Sequence, residues 1–277
     1  MSAPQGRAAA PLPAGPALPP RPTNRLRTAL ILAALAAFTL STCLPAIGGV
    51  ELDLASILDN WRNGATKLQQ LARPNLAFAP RTLGPMLETL AMAVVGAVSA
   101  ALLSIPVTLW AARPSNPNPL TRQAVRFVVN IVRAVPDLVY ATILVAMIGV
   151  GTLPGVVTLI LFDAGVVIKL VSEAIDSTDH PYLEAGRAAG GTQAQINRRT
   201  LLPQSWPLFA TQWLYSLELN VRISAILGIV GAGGIGRLLD ERRAFYAYED
   251  VSLIILEILV VVVAIELVST TLRRRLR

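Results

Sequence analysis

Long apolar runs separated by short polar passages organise this 277-residue chain. They cover about 28–47, 82–111, 120–149, 155–174, 206–230 and 251–272. A run of roughly 18 or more apolar residues is long enough to cross a bilayer as a helix. Inside lipid a helix is favoured because it satisfies its own backbone hydrogen bonds. The pattern therefore predicts an all-α, polytopic integral membrane protein with about six transmembrane helices. Pro136 interrupts the third run and is expected to kink it. Residues 48–80 mix the acids Glu51, Asp53 and Asp59 with Arg62, Lys67 and Arg73, then end in prolines. They read as an external loop with a short amphipathic helix. Prolines alternating with Ser and Asn at 113–119 mark a turn-rich connection. Residues 1–24 are rich in Ala, Pro and Gly without apolar periodicity, and read as a disordered tail. The domain reading is thus a tail at 1–24, a first span and external loop at 25–81, and a core transmembrane region at 82–277.

Composition narrows the picture. Apolar residues make up 53% of the chain, leaving no room for a separate soluble domain of ordinary size. The single cysteine, Cys43, excludes an internal disulfide and a cysteine metal cluster. The net charge of +7 does not point to nucleic acid, because much of it is Arg flanking apolar runs. Arg25, Arg27, Arg113, Arg122, Arg126, Arg187, Arg198, Arg199 and Arg273–Arg275 fall on one side of the predicted topology. Arg62, Lys67, Arg73, Arg81, Arg237, Arg242 and Arg243 fall on the other. With the two arginines of the tail and Arg277, the bias is roughly two to one and puts both termini in the cytoplasm. The first run has an alternative as a cleaved signal, since Leu40-Ser41-Thr42-Cys43 loosely resembles a lipobox. The long preceding tail favours an uncleaved span.

The longest polar passage of the second half lies at 177–203. Pro181 suits a first helical turn, and His180 could cap it. Gly190-Gly191 ends that helix. Thr192 and Gln195 have capping-box spacing for a second short helix, which Pro203 is expected to close. Within it, Glu184, Ala185, Gly190, Leu202 and Pro203 stand in the register of the EAA loop of bacterial ABC importer permeases. Gly186 and Thr200 depart from that pattern, which has Ala and Ile there. The resemblance implies a cytoplasmic coupling helix that docks on an ATPase subunit through Glu184, Ala185, Gly186, Gly190, Thr200, Leu202 and Pro203.

Gly231-x-Gly233-x-x-Gly236 has dinucleotide-fingerprint spacing, but the fingerprint needs a βαβ unit. The following run is too long for a buried strand. The glycines are read instead as points of close backbone packing near the outer mouth of a pore. Charges within the spans carry more chemistry. A charged side chain near the bilayer centre costs at least ~2.5 kcal/mol on insertion scales, so it faces water or a partner. Arg133, Lys169 and Arg222 are such residues, with Asn220 beside the last. Each also has an acid four residues away, Asp137, Glu173 or Glu218, and structural pairing is the competing reading. Trp110, Trp206 and Trp213 read as interface anchors.

Glu218-Leu219-Asn220-Val221-Arg222 followed by Gly228-Ile229-Val230-Gly231-Ala232-Gly233-Gly234-Ile235-Gly236 resembles the fifth-span region of phosphonate permeases. Arg133-Ala134 and Lys169-Leu170-x-Ser172-Glu173-Ala174 resemble the same family. The likeness covers most of 82–277. It implies a type I ABC importer permease fold, a second permease subunit (identical or a close paralogue), two ATP-binding cassette subunits and an external substrate-binding protein. It also implies membrane lipid around the chain and a place in the bacterial cytoplasmic (inner) membrane. The chain lacks a phosphate loop of the form Gly-x-x-x-x-Gly-Lys-[Ser/Thr]. It is expected to be a transport subunit with no catalytic residues, no metal and no cofactor of its own, the ATP and Mg being used by the partner. The resemblance implies phosphonates or related phosphorus oxyanions as cargo, with Arg133, Lys169, Asn220 and Arg222 along the translocation pathway. The alternatives are a permease for phosphite, a phosphate ester, methionine or another small solute, or an ATPase-independent channel or carrier. Carriers often show inverted repeats, and none is evident here.

Overall fold

The computed structural model describes residues 25–42, 54–177 and 181–276. The tail at 1–24, the end of the first apolar run at 43–47 and His180 lie outside the described residues. The chain divides into two units, Met1–Arg62 and Asn63–Arg277. The first holds α1 (Arg25–Thr42) and α2 (Leu54–Asp59), and α3 (Trp61–Leu71) begins at its boundary.

Every regular element among the described residues of the second unit is a helix. A 3-10 turn, Leu76–Phe78, leads into α4 (Ala79–Ala111), followed by α5 (Pro119–Ala134), α6 (Asp137–Ile148) and α7 (Thr152–Ser177). Then come α8 (Pro181–Ala188), α9 (Gln193–Ile196), a π turn at Asn197–Leu201, α10 (Leu202–Ile229), α11 (Gly234–Ala244) and α12 (Tyr248–Leu276). Among the described residues three helices are long and apolar enough to cross a membrane alone, those of α4, α7 and α12. Counting each bent pair as one span raises the number to five. The first of the six expected runs is described only as far as Thr42, and its apolar helical stretch, Arg27–Thr39, is shorter than a span.

Two features depart from the sequence expectation. The kink at Pro136 is a break: α5 and α6 diverge by 84°. Pro136 cannot donate its N–H and forces Val135 out of helical geometry, with ψ at 124°. The passage at 231–250 is not a plain loop, because α11 lies within it, bent 43° from the helix that precedes it.

Helices α4, α7 and α10 form the centre. Small residues of α4 (Ala93, Gly96, Ala97, Ala100) are buried and let the helices approach closely. A Cβ at Gly96 would stand 2.8 Å from the Leu159 Cβ. The outward faces of α4 and α12 expose Leu87, Val98, Leu102, Leu259, Val260 and Leu267. In water that surface would aggregate; in a bilayer it is the solvated face.

Candidate functional site

The polar passage at 181–203 folds as a helical hairpin held under the membrane bundle. Leu183, Ile196 and Leu201 are buried with Val171, Ile175 and Phe209, so one apolar seam fastens α8 and α9 to the ends of α7 and α10. Tyr182 packs at its edge, and burial pushes its phenol above the ordinary value. Gly190 makes the turn at φ +77°, a conformation that side chains with a Cβ rarely adopt. Gly191 N–H donates to the Gly186 carbonyl at 3.1 Å and closes the turn. A Cβ at Gly186, where the EAA pattern has Ala, would stand 3.3 Å from the Ile196 Cγ1, a close contact that the Ile196 side chain would have to relieve.

The predicted capping box at Thr192 and Gln195 is present in both directions. Pro203 does not close the second helix. The chain runs on from Gln193 to Ile229 through the π turn. The wider π turn accommodates the ring and missing N–H of Pro203, placed in the first turn of α10. Glu184, Ala185, Gly190 and Pro203 are exposed, whereas Gly186, Thr200 and Leu202 are half-buried.

Several anchors of this hairpin gave no signal in the sequence pattern. Gln193 Nε2 donates to the Pro114 carbonyl at 3.0 Å, and Asn197 Nδ2 to the Ser115 carbonyl at 3.1 Å. Asp176, at the end of α7, accepts from the Arg113 backbone N–H at 2.7 Å and pairs with the Arg126 guanidinium. Together these tie the hairpin, the 113–119 turn and α5 into one block at the same end of the bundle.

The charges within the spans divide into distinct situations. Arg133 lies with its stem on Gly165, where a Cβ would be 2.8 Å from its Cγ. Gly165 is at the middle of α7. The expected pairing of Arg133 with Asp137 is not formed. The break at Pro136 removes the shared helix face, and Asp137 instead accepts from the Leu138 N–H at 2.9 Å. Arg133 is exposed and has no carboxylate within salt-bridge distance among the described residues. Lys169 pairs with Glu173 at 2.5 Å along α7.

Arg222 donates to Glu218 Oε1 at 2.8 Å and stands 3.6 Å from Glu266. Glu218, nearly buried, also accepts from Arg273 at 3.1 Å. This network joins α10 to α12, and it gives Glu266 a partner that sequence reading did not supply. Asn220 is fully buried and donates to Asp163 Oδ2 at 2.6 Å and to the Ala93 carbonyl at 3.2 Å. It thereby links α10 to α7 and α4.

The glycine run joins α10 to α11 backbone to backbone. A Cβ at Gly228 would come within 2.6 Å of the Gly236 Cα, and one at Gly236 within 1.8 Å of the Ala225 carbonyl oxygen. Gly231 accepts from Gly151 N–H at 3.0 Å. Gly233 and Gly234 pack beside Glu88 and Thr89, and the Thr89 hydroxyl accepts from Ile235 N–H at 2.7 Å. Trp206 and Trp110 are exposed. Trp213 is half-buried, edge-on to Trp206 at 5.2 Å.

A bundle of apolar helices with charges inside its spans and a polar hairpin fixed at one end defines a multi-pass membrane protein. The model of the binding-protein-dependent transport system inner membrane component family matches residues 104–277, and the chain belongs to that family. It is 37% identical over 226 residues to the phosphite transport system permease protein PtxC of Stutzerimonas stutzeri, covering 82% of each chain. It is 35% identical over 219 residues to the phosphate-import permease protein PhnE of Mycolicibacterium smegmatis, covering 79% of this chain and 41% of that one. A chain of the inward-facing MetNI methionine ABC transporter superimposes with a TM-score of 0.66 at 24% identity, over 73% of this chain and 99% of that one. The fold is that of the type I ABC importer permeases.

Proposed function

We propose that the chain is the permease subunit through which an ABC importer moves phosphonates or related phosphorus oxyanions into the cytoplasm. The identity with a phosphite permease over 82% of both chains carries this reading. Arg133 supports it physically. An unpaired guanidinium at mid-membrane needs water or an anion beside it. A phosphonate offers oxygens that the planar guanidinium can grip in bidentate fashion. Arg133 is the leading pathway cation in this account. Lys169 and Arg222 contribute positive potential along the pathway while sharing charge with Glu173 and Glu218. Asn220 holds the α10 register behind them, and the glycines Gly228, Gly231, Gly233, Gly234 and Gly236 shape the outer end.

Two copies of the chain, or one copy and a close paralogue, form the pathway. An external binding protein delivers the anion. Two ATPase subunits dock on the exposed face of the hairpin around Glu184, Ala185 and Gly190, and hydrolyse ATP with Mg. Both termini and the hairpin face the cytoplasm. Closure of the ATPase pair draws the hairpins together and opens the pathway outward, and hydrolysis returns it inward. This permease contributes positioning and electrostatics, and no covalent chemistry. Binding along the pathway stays weak, because passage requires release.

The test is ATP-dependent uptake in proteoliposomes with the cognate ATPase and binding protein, comparing methylphosphonate, phosphite, phosphate, methionine and glycine betaine. Uptake confined to the phosphorus oxyanions is expected. Uptake of only methionine or betaine would overturn the cargo. Uptake of the oxyanions without ATP would overturn the importer mechanism.

A further inference from the structure

An apolar cleft of 590 Å³ opens on the outer surface between α4, α10 and the last turns of α12. Val98, Leu102, Trp206, Trp213 and Leu214 line it together with Arg275, from the last turn of α12. Smaller apolar grooves continue it along α12 past Leu217 and Val268. The adjacent Arg273 is committed to Glu218. Arg275 is exposed and has no carboxylate within salt-bridge distance among the described residues. Arg–carboxylate pairing thus leaves one cation free at the mouth of an apolar trough.

We propose that this cleft is a binding site for one anionic phospholipid. An acyl chain lies along Val98, Leu102 and Leu214, its phosphate meets the Arg275 guanidinium, and Trp206 marks the headgroup level. Each part follows from solvation. The trough has almost no polar surface, so it takes hydrocarbon rather than water. Arg keeps its head at the interface while its stem covers apolar surface. Tryptophan favours the boundary where one edge is apolar and the other wet. Charge selects the class of lipid: Arg275 has no carboxylate partner among the described residues, and a phosphodiester supplies the anion.

The proposal rests on the membrane embedding of the proposed permease but not on its cargo. Lipid retention is read without uptake, so failure of the transport reading and failure of this one are separate results. The experiment is native mass spectrometry and thermal melting of the full chain in neutral detergent, with phosphatidylglycerol, phosphatidylcholine or soluble glycerol phosphate added. Phosphatidylglycerol should be retained at least fivefold more than phosphatidylcholine and should raise the melting temperature, with glycerol phosphate without effect. Arg275→Gln should remove that preference, while Arg274→Gln, losing equal charge outside the cleft, should keep it. Val98→Trp should fill the trough and lower retention of both lipids. Equal retention of the two lipids, an effect of glycerol phosphate, or equal losses in Arg274→Gln and Arg275→Gln would each overturn the site. So would a disulfide between Val98→Cys and a cysteine placed in α1, which would show that a helix fills the trough.

Discussion

Arg133 and Arg222 both lie within apolar helical runs, and the fold treats them in opposite ways. Arg133 rests on Gly165, the middle of α7, without an acid. Arg222 neighbours Val221, which packs near Val262 at the middle of α12, and it holds Glu218 and approaches Glu266. The difference comes from backbone, not from side-chain chemistry. Each arginine has an acid four residues away. On α10 the helix is continuous and the i,i+4 pair forms. On α5 the break at Pro136 turns Asp137 away. A proline thus converts a potential structural pair into a free cation. Mid-membrane charge is costly unless it is paired or wet, so the two regions should respond differently to mutation.

The largest effect should come from reversing the free cation. Arg133→Glu should reduce phosphorus-oxyanion uptake to background, and Arg133→Lys should retain part of it, with detergent-solubilised yield unchanged in both. A normal uptake rate in Arg133→Glu would remove Arg133 from the pathway. A comparable loss is expected at the hairpin but by a different route. Gly190→Asp forces a side chain into the φ +77° turn, so uptake and co-purification of the ATPase should both fail while membrane insertion persists. Retained ATPase binding in that variant would argue against the hairpin as the docking element.

Next is the paired region, where stability rather than rate should move. Glu218→Ala leaves Arg222 and Arg273 without their shared acid. Only Glu218 of this set is buried, Arg222 being half-exposed with Glu266 still 3.6 Å away, so the melting temperature and yield should fall measurably without collapse of the fold. Adding Arg222→Ala should restore part of both. Uptake that recovers with yield would assign Arg222 to structure. Uptake that stays low despite recovered yield would assign it to the pathway beside Arg133. The smallest effect is expected at Lys169. Its pair with Glu173 lies along one helix and is partly exposed. Such pairs contribute about 0.2–0.5 kcal/mol, so Lys169→Gln should change uptake less than twofold. A tenfold loss would place Lys169 in the same class as Arg133.

Membrane class, the apolar helices of α4, α7, α10 and α12, and the hairpin's local grammar were legible in the linear pattern. Apolar run length, Gly190-Gly191, and the Thr192–Gln195 box act through local backbone and solvation, which a linear pattern records. It also marked Arg133, Lys169 and Arg222 as charges that needed an explanation. Which of them has a partner was decided only in three dimensions. Glu266 meets Arg222 and Arg273 meets Glu218 across two helices far apart in sequence. Asn220 stood beside Arg222 in the pattern, yet helical rotation buries it against Asp163 and Ala93. Pro203 looked like a helix stop, and a π turn carries the helix past it. Asp176 and Asn197 gave no periodic signal because their partners are backbone groups and an arginine of a distant turn and helix. Local patterns fix which residues can be helical or buried. Pairing between helices depends on their rotation and crossing, which the packing of Gly96, Gly165 and Gly228 sets through side chains they do not have.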